Sequence, residues 1–571
     1  MNYKTKLSFT RPALVVLIIL FACSGKRDQM QFQSELKSLN LQRGDITLCG
    51  SGADQFGTVA FSMSCAEKVR PDFNLATSLL HSFEYTEAEK VFAKVIDGDP
   101  ECIMAYWGAA MCNFHPLWAP PGPDELQKGA KIIALARSIN KNQSSRESDY
   151  LEAIAAIYDQ SDVLDHRTRV LKFEKASQRL FEKYPDDKEA AIFYALSLDA
   201  SADPTDKTFH NQKKAGDILD AILVNEPNHP GVAHYIIHNY DYPELAQLAL
   251  PAARKYASIA AASAHAQHMP SHIFTRLGLW DESIQSNINS ISAAQCYAQS
   301  LKANGHWDEE LHGLDYLIYA YLQKADDVKA LEQLEYLETI KEVFPQNFKG
   351  GYSFASMPTR YALERKDWTT ATKLKLEPAD FAWDKFLWEK ANMNFGRLLG
   401  AVHTHNLSDA KTELEQIKLV HDKLTQANEK YKANLVLIQI KAGEAWIKLE
   451  EGQATQAIQL MTEAADMEDA TAKHPVTPGE ILPARELLAD MYLETGDYVN
   501  ALKAYEADLT RHPNRFNGIY GAGLALERSG DRKKASQYYQ QLLALTSSSR
   551  TARPQMAAVE SFMKKISNGK L

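Results

Sequence analysis

A clustered positive footprint is absent from this chain. Lys and Arg number 63 against 73 Asp and Glu, and no basic block stands out beyond the N-terminus, which argues against a nucleic-acid partner. Strand-like alternation is missing after residue 70. There is no P-loop, nucleophile elbow, dinucleotide fingerprint or zinc-finger cysteine spacing, and without CxxCH covalent haem is not indicated. The metalloprotease pattern HExxH fails too, because Tyr235 stands where the general-base glutamate is needed. These absences weaken the case for an enzyme, and no catalytic residue is assigned.

The N-terminus has the pattern of a processed segment. Lys4, Lys6 and Arg11 precede an apolar run from Ala13 to Ala22, too short to span a bilayer. The run ends in Leu20-Phe21-Ala22-Cys23, which resembles a bacterial lipobox. Cleavage there predicts a signal peptide over 1–22, a lipid-modified Cys23 and a membrane anchor. Ser24 at the next position resembles outer-membrane sorting, so the expected location is the cell envelope, on the outer membrane facing the periplasm. An oxidising compartment permits disulfides among the other five cysteines. Cys49 with Cys65, bracketing a Gly-rich segment, is the candidate pair. Cys102 and Cys112 are a second, but ten residues of helix would separate them by about 15 Å.

The remaining pattern is helical. Residues Phe73 to Gly108 carry Ala88, Phe92 and Pro100 in the order of a tetratricopeptide hairpin. Pro185 and Pro227 punctuate further pairs, and the loop from His115 reads as an ordered excursion. Gly496, Ala501 and Tyr505 recur 34 residues later as Gly530, Ala535 and Tyr539. Leu435, Ile438, Ala442, Ala445 and Leu449 keep an apolar stripe at helical spacing. The expected fold is all-α, a TPR-like α-solenoid with a small irregular N-terminal cap. Its predicted divisions are a tether and cap over 23–66, degenerate repeats over 67–420 and C-terminal repeats over 421–571. The segments LLHSFEYTEAEKVF, HPLWAPP, HPGVAHYIIH, HMPSHIFTRLGLW, LHGLDYLIYAYLQ and TPGEILPAREL resemble a family of large bacterial TPR-containing proteins of unassigned biochemical role. The resemblance implies the helical-repeat fold and brings no activity or ligand with it.

Chemistry concentrates between His229 and His272. Six of the 17 histidines fall there, at His229, His234, His238, His265, His268 and His272. His234 and His238 are four apart on one expected helix, so both rings can face the same way. Pro270 suits the first turn of a helix, leaving His265 and His268 on the approach and His272 just inside. His312 and Asp315 share a face further on; Asp241, Glu244 and Asp315 could act as ligands or as partners of ring nitrogens. Three readings stay open: buried polar residues serving proline-broken turns, a zinc or copper site, or an anion or peptide ligand held by imidazoles and helix N-termini. His229 reads as a turn residue. In TPGEILPAREL, Arg485 and Glu486 open a helix where they could reach across a groove; the alternative is a staple in which Glu486 meets the helix N-terminus. The sequence thus predicts a lipid-anchored scaffold for a protein or peptide partner, with metal binding by the histidines as the alternative.

Overall fold

A computed structural model describes residues 1, 30–47, 49, 53–140 and 145–568; most of the expected signal peptide, and the lipidation site at Cys23, lie outside them. The fold is all-α, a TPR-like arrangement of helical hairpins. The chain forms two compact units, Met1–Ile46 with Val59–Ser201 and Thr47–Thr58 with Ala202–Leu571. Their boundary falls inside 67–420, the stretch read as one run of degenerate repeats. Among the described residues no helix is long and apolar enough to cross a membrane.

In the first unit the helices Arg70–His81, Tyr85–Gly98 and Ile103–Cys112 come from the Ala88, Phe92, Pro100 pattern. Pro100 follows the end of the second helix because it cannot continue one. Phe92 is buried, and its ring occupies the space over Gly108, where a Cβ would come within 2.2 Å. Helices Ser145–Tyr158, His166–Lys183 and Lys188–Ala200 continue the series.

The second unit repeats this construction. Gly496 and Gly530 take left-handed φ of +80° and +91°, a conformation in which glycine has no Cβ penalty. Ala501 and Ala535 are fully buried. Tyr505 lies under Gly521 and Tyr539 under Gly523, at 2.2 and 2.6 Å from where a Cβ would stand. The stripe on Lys430–Glu450 buries Ile438, Ala442 and Ala445 beside Trp446 and Met461, each large apolar side chain contributing roughly 1.5–3 kcal/mol. Among the described residues the strands are His306–Trp307 and Val343–Phe344, paired in parallel.

The C-terminal repeats pack back onto earlier helices of the same unit. Trp280 Nε1–H donates to the Asn514 carbonyl at 2.8 Å, and Arg553 Nη2 reaches Asp327 Oδ1 at 2.7 Å and the Leu322 carbonyl at 3.0 Å. Buried Arg515 meets Glu364 and Glu486, both at 2.9 Å. The loop between helices Ala454–Ala470 and Ala484–Glu494 is held from inside the unit. Tyr316 Oη–H donates to the Thr477 carbonyl at 3.0 Å and Arg360 Nη2 to that of Gly479 at 2.7 Å.

The disulfides correct the expected pairing. Cys49 joins Cys296 and Cys65 joins Cys102, with Cα atoms 5.9 and 4.9 Å apart. Cys49 belongs to the 47–58 segment of the second unit while Cys65 belongs to the first, so closeness in sequence misled. Cys112 is a buried free thiol at the far end of the Ile103–Cys112 helix from Cys102.

Candidate metal centre

The site is assembled from short helices with identifiable start signals. Pro230 opens the Pro230–Asn239 helix, and His229 caps it by accepting from the Val232 N–H at 3.4 Å, the turn role its sequence suggests. Ser263 starts Ala264–His268 by accepting from the Ala266 N–H at 3.1 Å. Pro270 then begins Pro270–Arg276. His312 comes from Asp308–Gln323.

These elements bring five of the six histidines between His229 and His272 together with His312 into two sets of three, His234 with His238 and His265, and His268 with His272 and His312; within each set the ligand atoms lie within 4.8 Å of one another. In the first set His234 Nε2 faces His265 Nε2 and His238 Nε2, each at 3.1 Å. A ring nitrogen carries either one proton or one lone pair, so His234 Nε2 cannot bond both neighbours in line. Its ring stacks on Tyr256 at 5.0 Å.

In the second set the tautomers of His268 and His272 are fixed by outer partners. His268 Nδ1 lies 2.7 Å from Asn287 Oδ1, and the Asn287 amide is oriented because its Nδ2–H donates to the Ser283 carbonyl at 2.8 Å. His268 Nδ1 is therefore the protonated nitrogen. His272 Nδ1 lies 3.0 Å from Asp241 Oδ2. Desolvation would raise the Asp241 pKa, but Lys473 and Arg276 hold it well below the usual carboxylate range, so Asp241 is an acceptor and His272 Nδ1–H the donor. Both Nε2 atoms are left as bare lone pairs, 3.0 Å apart. The His312 ring centre is 4.1 Å from that of His268, and His272 stacks on Tyr316 at 4.9 Å.

A proton does not easily fill the gap between those lone pairs. Burial, then the neighbouring imidazoles and lysines, push His268 and His312 well below the ordinary histidine value. Burial and His272 bring His238 down to about 3. Neutral imidazoles with Nδ1–H held by an oxygen acceptor are the form that ligates metals.

The helix Trp280–Ser300 supplies the supporting contacts. Ser286 Oγ–H donates to the Gln267 carbonyl at 2.5 Å and Ser290 Oγ–H to that of Ala264 at 2.8 Å, pinning the turn that carries His265 and His268. Asn287 and this serine series escaped the sequence reading. Their signal was a polar stripe at helical spacing, Ser283, Ser286, Asn287 and Ser290, all buried. Lys473 also escaped it; burial lowers it to about 8 against the pull of Asp241.

Other expected site residues lie elsewhere. Asp315 is not with the histidines: it accepts from Arg360 Nη1 at 2.5 Å and Ser356 Oγ at 2.9 Å. Arg485 and Glu486 do not share a groove, since Arg485 pairs with Asp466 and Asp469 at 2.7 and 2.6 Å while Glu486 is buried against Arg515.

Comparisons with known proteins bear on the repeats. No curated protein matches this sequence. Among solved structures, a monomeric mutant of IFIT1 with m7Gppp-AAAA is similar at a TM-score of 0.33 and 12% identity, over 90% of this chain and 100% of that one. Naa15/Naa10 bound to HypK-THB is similar at 0.21 and 11%, over 88% and 74%. Residues 484–515 and 519–552 match the tetratricopeptide repeat family, the stretch in which the 34-residue recurrence was found.

Proposed function

We propose that this chain is a transition-metal-binding protein in which each three-histidine set holds one ion, zinc or copper. The observation that carries the reading is the pair of bare Nε2 lone pairs on His268 and His272, 3.0 Å apart. With both Nδ1 protons committed to Asn287 and Asp241, the lone pairs repel unless a cation sits between them. Imidazole ligands suit zinc and copper. Elemental analysis of protein purified without chelators and reloaded with Zn²⁺ or Cu²⁺ tests it. Metal at one ion per set is expected, with loss from the second set in His268→Ala; no bound metal after reloading overturns the proposal.

A second reading has its own support in the tetratricopeptide repeats at 484–552, which suit a scaffold for a protein or peptide partner. Crosslinking in intact cells that returns only the monomer would remove it. We place either activity in the cell envelope, an oxidising compartment that suits the two disulfides, and infer a lipid anchor at Cys23 from the lipobox-like residues before it. Cys23→Ser should move the protein from the membrane to the soluble fraction, and unchanged membrane retention would count against the anchor.

A further inference from the structure

The two sets are joined through one short helix. His265 belongs to the first and His268 to the second, yet both lie on Ala264–His268. Residues three apart on a helix have Cβ atoms about 5–6 Å from one another, so each ion would be held by one of two adjacent side chains.

Ligand number and charge then constrain what else is bound. Three protein ligands leave an open position on a four-coordinate ion, the arrangement of reactive rather than structural sites. All six ligands would be neutral imidazoles when metal-bound, so two divalent ions would bring their full charge into a site where five of the six histidines are buried. The nearby charged side chains already balance one another: Asp241 with Arg276 and Lys473, Lys349 with Asp308 and Glu309, Asp315 with Arg360. No carboxylate belongs to either set. The balancing charge has to come from outside the chain.

We infer that the two histidine sets form one dinuclear centre whose open positions share a small bridging anion. The inference rests on the metal-binding reading above. At rest the bridge is hydroxide, formed when a water between the ions gives one proton to solvent; metal coordination brings that ionisation toward neutral pH. A competing anion such as azide replaces the hydroxide, using its own lone pairs for both metal bonds, with no change of oxidation state.

Copper(II) and azide are the probes. The full-length protein is loaded stepwise with Cu²⁺ while the integrated electron paramagnetic resonance intensity and the bound metal are followed. The expected result is that the second equivalent lowers the integrated signal instead of doubling it, because a bridge couples the two unpaired electrons. One azide per chain then alters the absorption spectrum. In His238→Ala and His312→Ala, which remove a ligand from different sets, one copper remains and its signal has full intensity. Two coppers with full, additive intensity and two azides per chain would overturn the dinuclear centre while leaving the metal-binding proposal intact. No bound copper in the parent protein would overturn both.

Discussion

Asn287→Leu separates metal affinity from fold stability at a single atom. Asn287 Oδ1 accepts the Nδ1–H of His268 at 2.7 Å and thereby leaves Nε2 as the lone pair that faces His272. Leucine keeps the volume and removes the acceptor. Were the imidazole to stay as it is, a buried N–H without a partner would cost about 1–3 kcal/mol. It has an alternative: the proton moves to Nε2 and is donated to His272 Nε2, 3.0 Å away. The metal-free protein therefore loses only about 1 kcal/mol, since the Ser271 Oγ–H contact to the same oxygen is long at 3.4 Å, but an incoming ion must now displace that proton. Loss of such an outer partner typically lowers metal affinity 10–100-fold, or about 1.4–2.8 kcal/mol. Competition against a chelator with Zn²⁺, alongside unfolding with and without metal, reads both quantities. The expected result is weakened binding at the His268 set, near-unchanged binding at the His234 set and a nearly unchanged metal-free midpoint. Unchanged zinc affinity together with a loss of several kcal/mol in the metal-free protein would refute the tautomer argument.

Arg515→Met should destabilise the second unit by about 3–5 kcal/mol in urea unfolding, since Glu364 and Glu486 stay buried without their cation; adding Glu486→Gln should recover part of it, and a loss below 1 kcal/mol would contradict the assignment. His512 is raised to about 10, with desolvation opposing and Asp508 and Glu480 prevailing. Its folded value lies above its unfolded value of about 6.5, so its stabilisation is complete below pH 6.5 and is lost as pH rises through 10, at up to about 1.4 kcal/mol per pH unit within that window. The urea midpoint should accordingly fall between pH 7 and 10, and a slope that persists undiminished in His512→Gln would assign the effect elsewhere. His234→Ala should lower bound zinc from one ion in each of the two sets to the His268 set alone; loss of both ions would mean that the first set is required for the second.

The helical repeats were legible because their determinants are local. Ala501 and Tyr505 do in the structure what their 34-residue recurrence implied, and Pro270 opens a helix as its position suggested. His234, His238, His265, His268 and His272 were legible as a group, with His312 as an outlying candidate, but their division into sets was not. It depends on how Pro230–Asn239 and Asp308–Gln323 approach the turn carrying His265 and His268, which no spacing encodes. Asp315 was misplaced for a geometric reason: three residues of helix turn it off the His312 direction, toward Arg360. Arg485 and Glu486 are about 100° apart around one helix, which sends one to Asp466 and Asp469 and the other to Arg515. The Cys49–Cys296 link spans 247 residues and has no local signature at all.

The closure of the second unit on itself sets a timescale. His234, His265, His268, His272 and His312 are all buried, and the contacts of Trp280 with Asn514 and Arg553 with Asp327 bind residues more than 220 positions apart. While His238 of the first set is half-buried, an ion held as proposed by His268, His272 and His312 would have to wait for part of this unit to open, an event with its own free energy above that of a fraying loop. Release would then be governed by the protein's breathing rather than by ligand exchange at the metal, so the stripping rate should reach a plateau at high chelator concentration. Loosening the seam with Arg553→Gln should raise that plateau while leaving every histidine in place.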